Sequence, residues 1–302
     1  MKGCARSCVL WLLGWGAAAG AFYYYFVNLR DFGPPMYWAS AFAGLFVVAI
    51  VGYALGIGMA YRERKMLLDA VAGTPPEDGR WVAVGGTIHS MNPLTAPISG
   101  ASAVAYEYKI YRHEQSGGDT SEVVYYEGKA LAPSTIATRQ GSVRLLSVPT
   151  FNEIEQETVP WQQAVERAKE YVAGTTFELL DTSQKRRARL HDEWTDDDGE
   201  FRVDKQKSTA DVDLADDFRF DEKHIRQGEQ VCAFGLYSRQ RGGLIPHENW
   251  SKQTRLMRGD PSKVADRLRG RMIKYAIGVL IFSGLVYAIV RLYHYKAATL
   301  PL

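Results

Sequence analysis

Six histidines, His89, His113, His191, His224, His247 and His294, are the first residues to test for chemistry. No two are spaced to grip a metal from one element, and HExxH is missing. Scattered singly, they read as surface or hydrogen-bonded side chains. The three cysteines, Cys4, Cys8 and Cys232, form neither a disulfide framework nor CxxC spacing, and they suit a reducing compartment. Asp196, Asp197, Asp198 and Gly199 suggest a calcium loop until the register is counted. With Gly199 sixth, Trp194 falls in the first position, where an aspartate is needed, so the run reads as a hairpin turn. GxSxG, Walker A and dinucleotide fingerprints are missing as well. The expectation is therefore no catalytic residue, no metal, no cofactor and no enzymatic activity.

Charge narrows the partners. The net charge is +2, which gives no support to nucleic-acid binding. The basic run Lys185, Arg186, Arg187 and Arg189 could touch anionic lipid, but acidic residues follow directly, and a solvated loop is the simpler reading.

Hydropathy is more informative than any motif. Residues 8–27 and 36–61 carry no charge, and residues 273–290 carry only Lys274 at their edge. Each is close to the roughly 20 residues that a spanning helix needs, and tyrosines and tryptophans gather near the ends. The expectation is a multi-pass membrane protein with α-helical spans. A mean hydropathy of −0.21 with 23% charged residues is too polar for a chain that is all membrane. The block between the spans must face water, and at about 200 residues it is long enough to bury its own core.

Flanking cations set the expected sidedness, because Lys and Arg near span ends stay cytoplasmic. Lys2 and Arg6 precede the first stretch, and Arg62, Arg64 and Lys65 follow the second. Arg258, Lys263, Arg267, Arg269, Arg271 and Lys274 precede the third. This predicts an inner-membrane protein with its N-terminus and large domain in the cytoplasm and a short turn at Arg30 and Asp31 outside. The start of the chain also resembles a signal peptide ending at Ala19-Gly20-Ala21, but its apolar run continues into an aromatic cluster. Cys4 and Cys8 sit where palmitoylation is conceivable. Gly52 and Gly56 form a GxxxG that allows close helix contact, either with the first span or between copies as a homo-oligomer.

The expected organisation is residues 1–61 as two spans, 62–80 as a juxtamembrane helix and linker, 81–258 as a β-rich domain, and 259–302 as a basic segment, third span and tail. Within the domain, Val104, Tyr106, Tyr108 and Ile110 alternate with Glu107, Lys109 and Tyr111, the period of a half-buried strand. Further short runs bounded by turn residues predict a mainly β, β-rich α+β body, barrel- or sandwich-like. One helix interrupts them, opened by Pro160, closed by Gly174 and striped by Trp161, Ala164, Val165, Ala168, Tyr171 and Val172.

Two stretches carry a resemblance. In GGTIHSMNPLTAPISGASAVAYEYKIYR, prolines stiffen a loop that delivers the chain into a strand. Its Gly86, Pro93, Leu94, Pro97, Ser99, Gly100, Val104, Tyr106 and Arg112 resemble the GIDE domain of MULAN-type membrane E3 ubiquitin ligases and their bacterial relatives. In RFDEKHIRQGEQVCAFGLYSRQRGGLIP, the residues Glu222, Ile225, Gly228, Glu229, Val231, Gly235 and Gly243 are similar to a later stretch of that family. Two departures matter. Ala103 stands where relatives often have Cys, and a RING domain, with its roughly eight zinc ligands, is not seen after the third span. The resemblance thus implies the membrane-tethered module without ligase activity. Its motif residues Pro93, Leu94, Pro97, Ser99, Gly100, Tyr106, Glu222, Gly228 and Gly235 are the candidate binding positions.

The function expected from all this is a membrane-anchored, non-enzymatic protein or lipid interaction or sensing module. The alternatives are a component of a transport or envelope-assembly complex and, less favoured, an enzyme related to the ligases.

Overall fold

The structure, a computed structural model, describes residues 2–29, 34–116, 119–151, 154–156, 159–179, 201–207, 214, 217–247 and 253–299. The acidic run at 196–199, the basic run at 185–189, His191, the turn at Arg30 and Asp31, and the side chains of Cys4 and Cys8 lie outside the described residues. Among those described, four helices form: α1 (Lys2–Leu29), α2 (Pro34–Ala72), α3 (Trp161–Gly174) and α4 (Pro261–Thr299). The chain divides into two units, Met1–Arg64 with Asp266–Leu302, and Lys65–Ala265.

The first unit is helical. An apolar helix satisfies its own backbone hydrogen bonds, so it needs no water along its length. Helix α4 starts on a well-made cap, with Pro261 in the first position and the Ser262 amide donating to Asp260 Oδ1 at 2.8 Å. Helix α2 ends on Gly73 at φ 84°, where Thr74 N bonds Asp69 O and Gly73 N bonds Ala70 O, a Schellman closure. Residues 62–72, expected as a separate juxtamembrane helix, are the continuation of α2.

The three long helices pack up-down-up. Gly44 lies against Ala19 and Gly52 against Trp11, while Gly56 meets Tyr275 and Gly278 meets Tyr53. Of the two glycines of the GxxxG, Gly52 faces the first apolar stretch, as the sequence allows, whereas Gly56 faces α4. Phe26 stacks on Tyr293 at 4.5 Å, and the Tyr293 hydroxyl donates to Pro35 O at 2.8 Å. Leu12, Leu13, Leu55 and Leu280 are among the exposed apolar side chains of the unit.

Two helices, Pro35–Ala72 and Pro261–Lys296, are long and apolar enough to cross a membrane by length and composition. The sequence suggests three such stretches. The remaining one, 8–27, is helical within α1 but is not one of those two, and the side chains of residues 2–10 are outside those described.

The second unit is mainly β and contains a small barrel. Strands β1 (Trp81–Ser90), β6 (Ser134–Thr138), β7 (Gly141–Leu145), β13 (Gly243–Ile245) and β12 (Gln230–Ser238) pair in that order, and β12 pairs back onto β1. The ring has one parallel contact, β7 with β13, and is laid out as a five-stranded Greek-key barrel of OB type. Strand β14 (Arg255–Arg258) pairs with β12, and β8 (Thr150–Phe151) pairs with β14. Closing so small a ring demands close backbones. A Cβ on Gly86 would stand 2.0 Å from Ala137 O, and one on Gly243 would stand 2.5 Å from Arg144 O.

The other sheet grows from two excursions of the barrel chain. The first, between β1 and β6, makes the two-residue strands β2 (Leu94–Thr95) and β3 (Ser102–Ala103) and the long hairpin β4 (Ala105–Ser116) and β5 (Asp119–Leu131). The second, between β7 and β12, makes β8, α3, β9 (Glu178–Leu179), β10 (Phe201–Gln206) and β11 (Phe218–Ile225). The five strands order as β11, β4, β5, β10, β9. Val104, Ala105, Leu131, Phe201 and Ile225 join the barrel core, while Tyr106, Tyr108 and Ile110 pack under Ala164 and Ala168 of α3. Pro160 sits just before the helix instead of opening it, and Trp161 is 38% exposed, so the buried stripe is narrower than its sequence suggests.

Candidate functional site

The two stretches that carry the resemblance meet in space. Pro97, Ile98 and Ser99 form a turn clasped by the little β2–β3 hairpin, and Gly100 leaves it at φ 68° with the Arg167 guanidinium over its α-carbon. On β11, Glu222 is almost wholly buried and points at this turn. The Ile98 amide donates to Glu222 Oε2 at 2.7 Å, the Ser99 amide donates at 3.3 Å, and the Ser99 hydroxyl donates to Oε1. The buried His224 presents Nδ1 to Glu222 Oε1 at 3.3 Å, while its Nε2 accepts from Arg226 at 3.1 Å. A ring nitrogen that accepts carries no proton, so the imidazole holds its proton on Nδ1, toward the carboxylate. Burial pushes the Glu222 carboxyl up, and the hydrogen bonds from His224, Ser99 and the two amides outweigh it, leaving the group below the ordinary carboxylate range.

A second cluster lies under the end of α3. Tyr108 and Tyr171 both donate to Asp204 Oδ1 at 2.7 Å, Arg202 Nε donates to Oδ2 at 2.9 Å, and Tyr106 reaches Tyr171 at 3.3 Å. Gly128 makes room, since a Cβ there would fall 2.5 Å from the Tyr108 ring and 2.6 Å from Asp204. Burial pushes the Tyr108 hydroxyl far up, with Asp204 and Tyr171 adding to it, and burial does the same to Tyr106 and Tyr171. These phenols stay protonated donors; none is an activated nucleophile.

Beside this cluster opens a polar cleft of about 370 Å³ lined by Gly174, Thr175, Thr176, Arg202, Val203 and Asp204. That is at the small end of ligand-sized pockets. The Arg202 side chain is 48% exposed and lies against the Tyr171 ring at 5.6 Å. Its Nη2 donates to the Tyr171 hydroxyl at 3.0 Å, so Asp204 and Tyr171 hold one edge of the guanidinium and the exposed remainder is what a partner's acceptor can reach. A separate cleft of about 430 Å³ is lined by Gly85, Gly86 and Thr87 of β1 and by Asp260, Pro261 and Ser262, with Gly85 facing Pro261.

Of the expected positions, Pro97, Ser99, Gly100 and Glu222 come together in one cluster. Tyr106 lies in the neighbouring one, opposite His224 across the β4–β11 pair. Pro93 and Leu94 lead into the hairpin. Gly228 turns the chain from β11 to β12 at φ 80°, and Gly235 in β12 is crowded by Thr254 at 3.1 Å, so both are framework positions away from the clusters. Among the described residues no three of His, Cys, Asp and Glu gather to hold a metal ion. Arg202, Asp204 and Tyr171 were not singled out as polar site residues in the sequence. His224 had a legible signal, because it shares a strand face with Phe218, Phe220 and Glu222, so an inward polar pair follows from period two.

No family model, no curated protein and no solved structure matches the chain.

Proposed function

We propose that this chain is a membrane-anchored, non-enzymatic interaction and sensing module with a GIDE-like β body. In this reading α1 joins α2 and α4 as a third span of an inner-membrane protein, and the β body faces the cytoplasm, as the flanking cations suggest. The observation that carries it is the direct connection between apolar helices and β body. Helix α2 runs unbroken to Ala72 before β1 begins at Trp81, and α4 starts at Pro261 just after β14 ends at Arg258. Both helices meet the length and apolarity of a span.

Two features support the interaction role. Glu222 is engaged with His224 and the Ser99 turn, and Asp204 with Tyr108 and Tyr171, which favours a rigid body over a reaction centre, and the Arg202 cleft gives that body a concave polar surface. The meeting of Ser99 with Glu222, 123 residues apart, supports the GIDE-like reading, because it links both stretches that carry the resemblance.

The test has two parts. Membranes holding the full chain are washed with alkaline carbonate, and the chain is expected in the pellet; release into the supernatant overturns the anchoring. A photo-crosslinking residue is then placed at Thr175 and, as a buried control, at Ile98. Protein or lipid adducts are expected from Thr175 above the Ile98 level, and equal yields overturn the interaction role.

A further inference from the structure

We propose that one end of the helical unit is a basic collar that binds acidic phospholipid headgroups; this rests on the membrane-anchored reading and adds a ligand class to it. The register of α2 against α4 fixes the collar. Gly56 meets Tyr275 and Tyr53 meets Gly278, so the helices run antiparallel and residues 62–64 fall level with the turn around 267–269. Arg62 and Arg64 of α2 therefore share a band with Arg267, Arg269, Arg271 and Lys274 of α4. Along α4 this band is about 10 Å deep at 1.5 Å per residue. The same segments, 62–64 and 266–274, hold only two carboxylates, Glu63 and Asp266.

Arg62, Arg267, Arg269 and Lys274 are exposed, and Arg64 Nε is buried without a hydrogen-bond partner. Immediately beyond the band the surface turns apolar, with Ile277, Leu280 and Leu55 exposed, and Tyr61 stands exposed at the boundary. Cations stacked directly on an apolar belt match the depth at which lipid phosphates lie, where long basic side chains reach outward along their stems. A soluble anion needs the cations but not the belt beside them. That adjacency is why acidic lipid is the favoured occupant.

The test uses the full chain in detergent micelles, loaded from vesicles of phosphatidylcholine with or without phosphatidylglycerol, and counts co-purifying lipids by native mass spectrometry. The wild type is expected to retain phosphatidylglycerol over phosphatidylcholine, with the preference falling as salt rises. R267Q/R269Q/R271Q is expected to weaken that preference about fivefold for each cation removed, while R267K/R269K/R271K keeps it. The lysine variant separates lost charge from lost folding. Equal retention of the two lipids by the wild type, or an undiminished preference in the glutamine variant, overturns the collar. So does displacement of phosphatidylglycerol by excess inorganic phosphate, which would assign the band to a soluble anion. Each of these failures leaves a carbonate-resistant chain still anchored, so the collar and the anchoring fall separately.

Discussion

Glu222 shows how a charge becomes a framework element. Its carboxylate lies where two main-chain amides and a hydroxyl from a proline-stiffened turn converge, so each donor that the turn cannot satisfy internally ends on one acceptor. Removing that acceptor strands buried donors at about 1–3 kcal/mol each. Glu222→Ala should therefore destabilise the full chain by about 3 kcal/mol or more, and Ser99→Ala by about 1 kcal/mol, as measured by denaturant unfolding in micelles. Acid should act on the same group. A carboxyl held below its unfolded value binds more protons when unfolded, so its stabilisation is complete above the unfolded pKa of about 4.3. It drains away as pH falls through the lower, folded value. Between neutral pH and about pH 3, Glu222→Gln should consequently lose stability less steeply than the wild type. Parallel slopes in that window would mean that Glu222 is not the titrating group.

At the level of elements, the barrel depends on glycines where strands cross closely. Gly86→Ala would push a methyl group into the Ala137 carbonyl of β6, and overpacking of this kind costs about 1–3 kcal/mol. Gly174 ends α3 with nothing within 4 Å of its Cβ position and without a positive φ. Gly174→Ala should accordingly be neutral or raise stability by up to about 1 kcal/mol. Thermal unfolding of the two variants checks the contrast, and equal shifts would contradict the ring closure. Legibility in the sequence follows the same division between local and distant. The alternation in AVAYEYKIYR and the helix after Pro160 were legible because their periods are local, and the structure buries Tyr106, Tyr108, Ala164 and Ala168 accordingly. The ring was not, because β1 pairs with β12 across most of the domain and its parallel contact rests on the short strand β13. Asp204 was hidden for a related reason. On β10 it shares a face with Arg202, which reads as solvent-facing until α3 lays Tyr171 over it.

For the whole molecule, what matters is which side of the bilayer the β body occupies in the proposed arrangement, and charge is the physical handle. One end of the helical unit carries Arg62, Arg64, Arg267, Arg269, Arg271 and Lys274, whereas Arg291 and Lys296 are the Lys and Arg side chains described toward the other end of α4. Six cations against two favour the first end as cytoplasmic, and Lys65, where the β unit begins in sequence, is adjacent to Arg64. Met91, in the loop after β1, is 94% exposed, and the only cysteine of the β unit, Cys232, is fully buried. A chain with Cys4 and Cys8 changed to serine thus offers a clean background for Met91→Cys. A membrane-impermeant maleimide should leave Met91→Cys unlabelled in intact cells and label it after permeabilisation, while Lys296→Cys in the exposed final turns of α4 should react in intact cells. The reverse pattern would place the β body outside. It would transfer the basic collar and the Arg202 cleft to the outer face, and the partners of both would have to be sought there, with the fold and the anchoring unaffected.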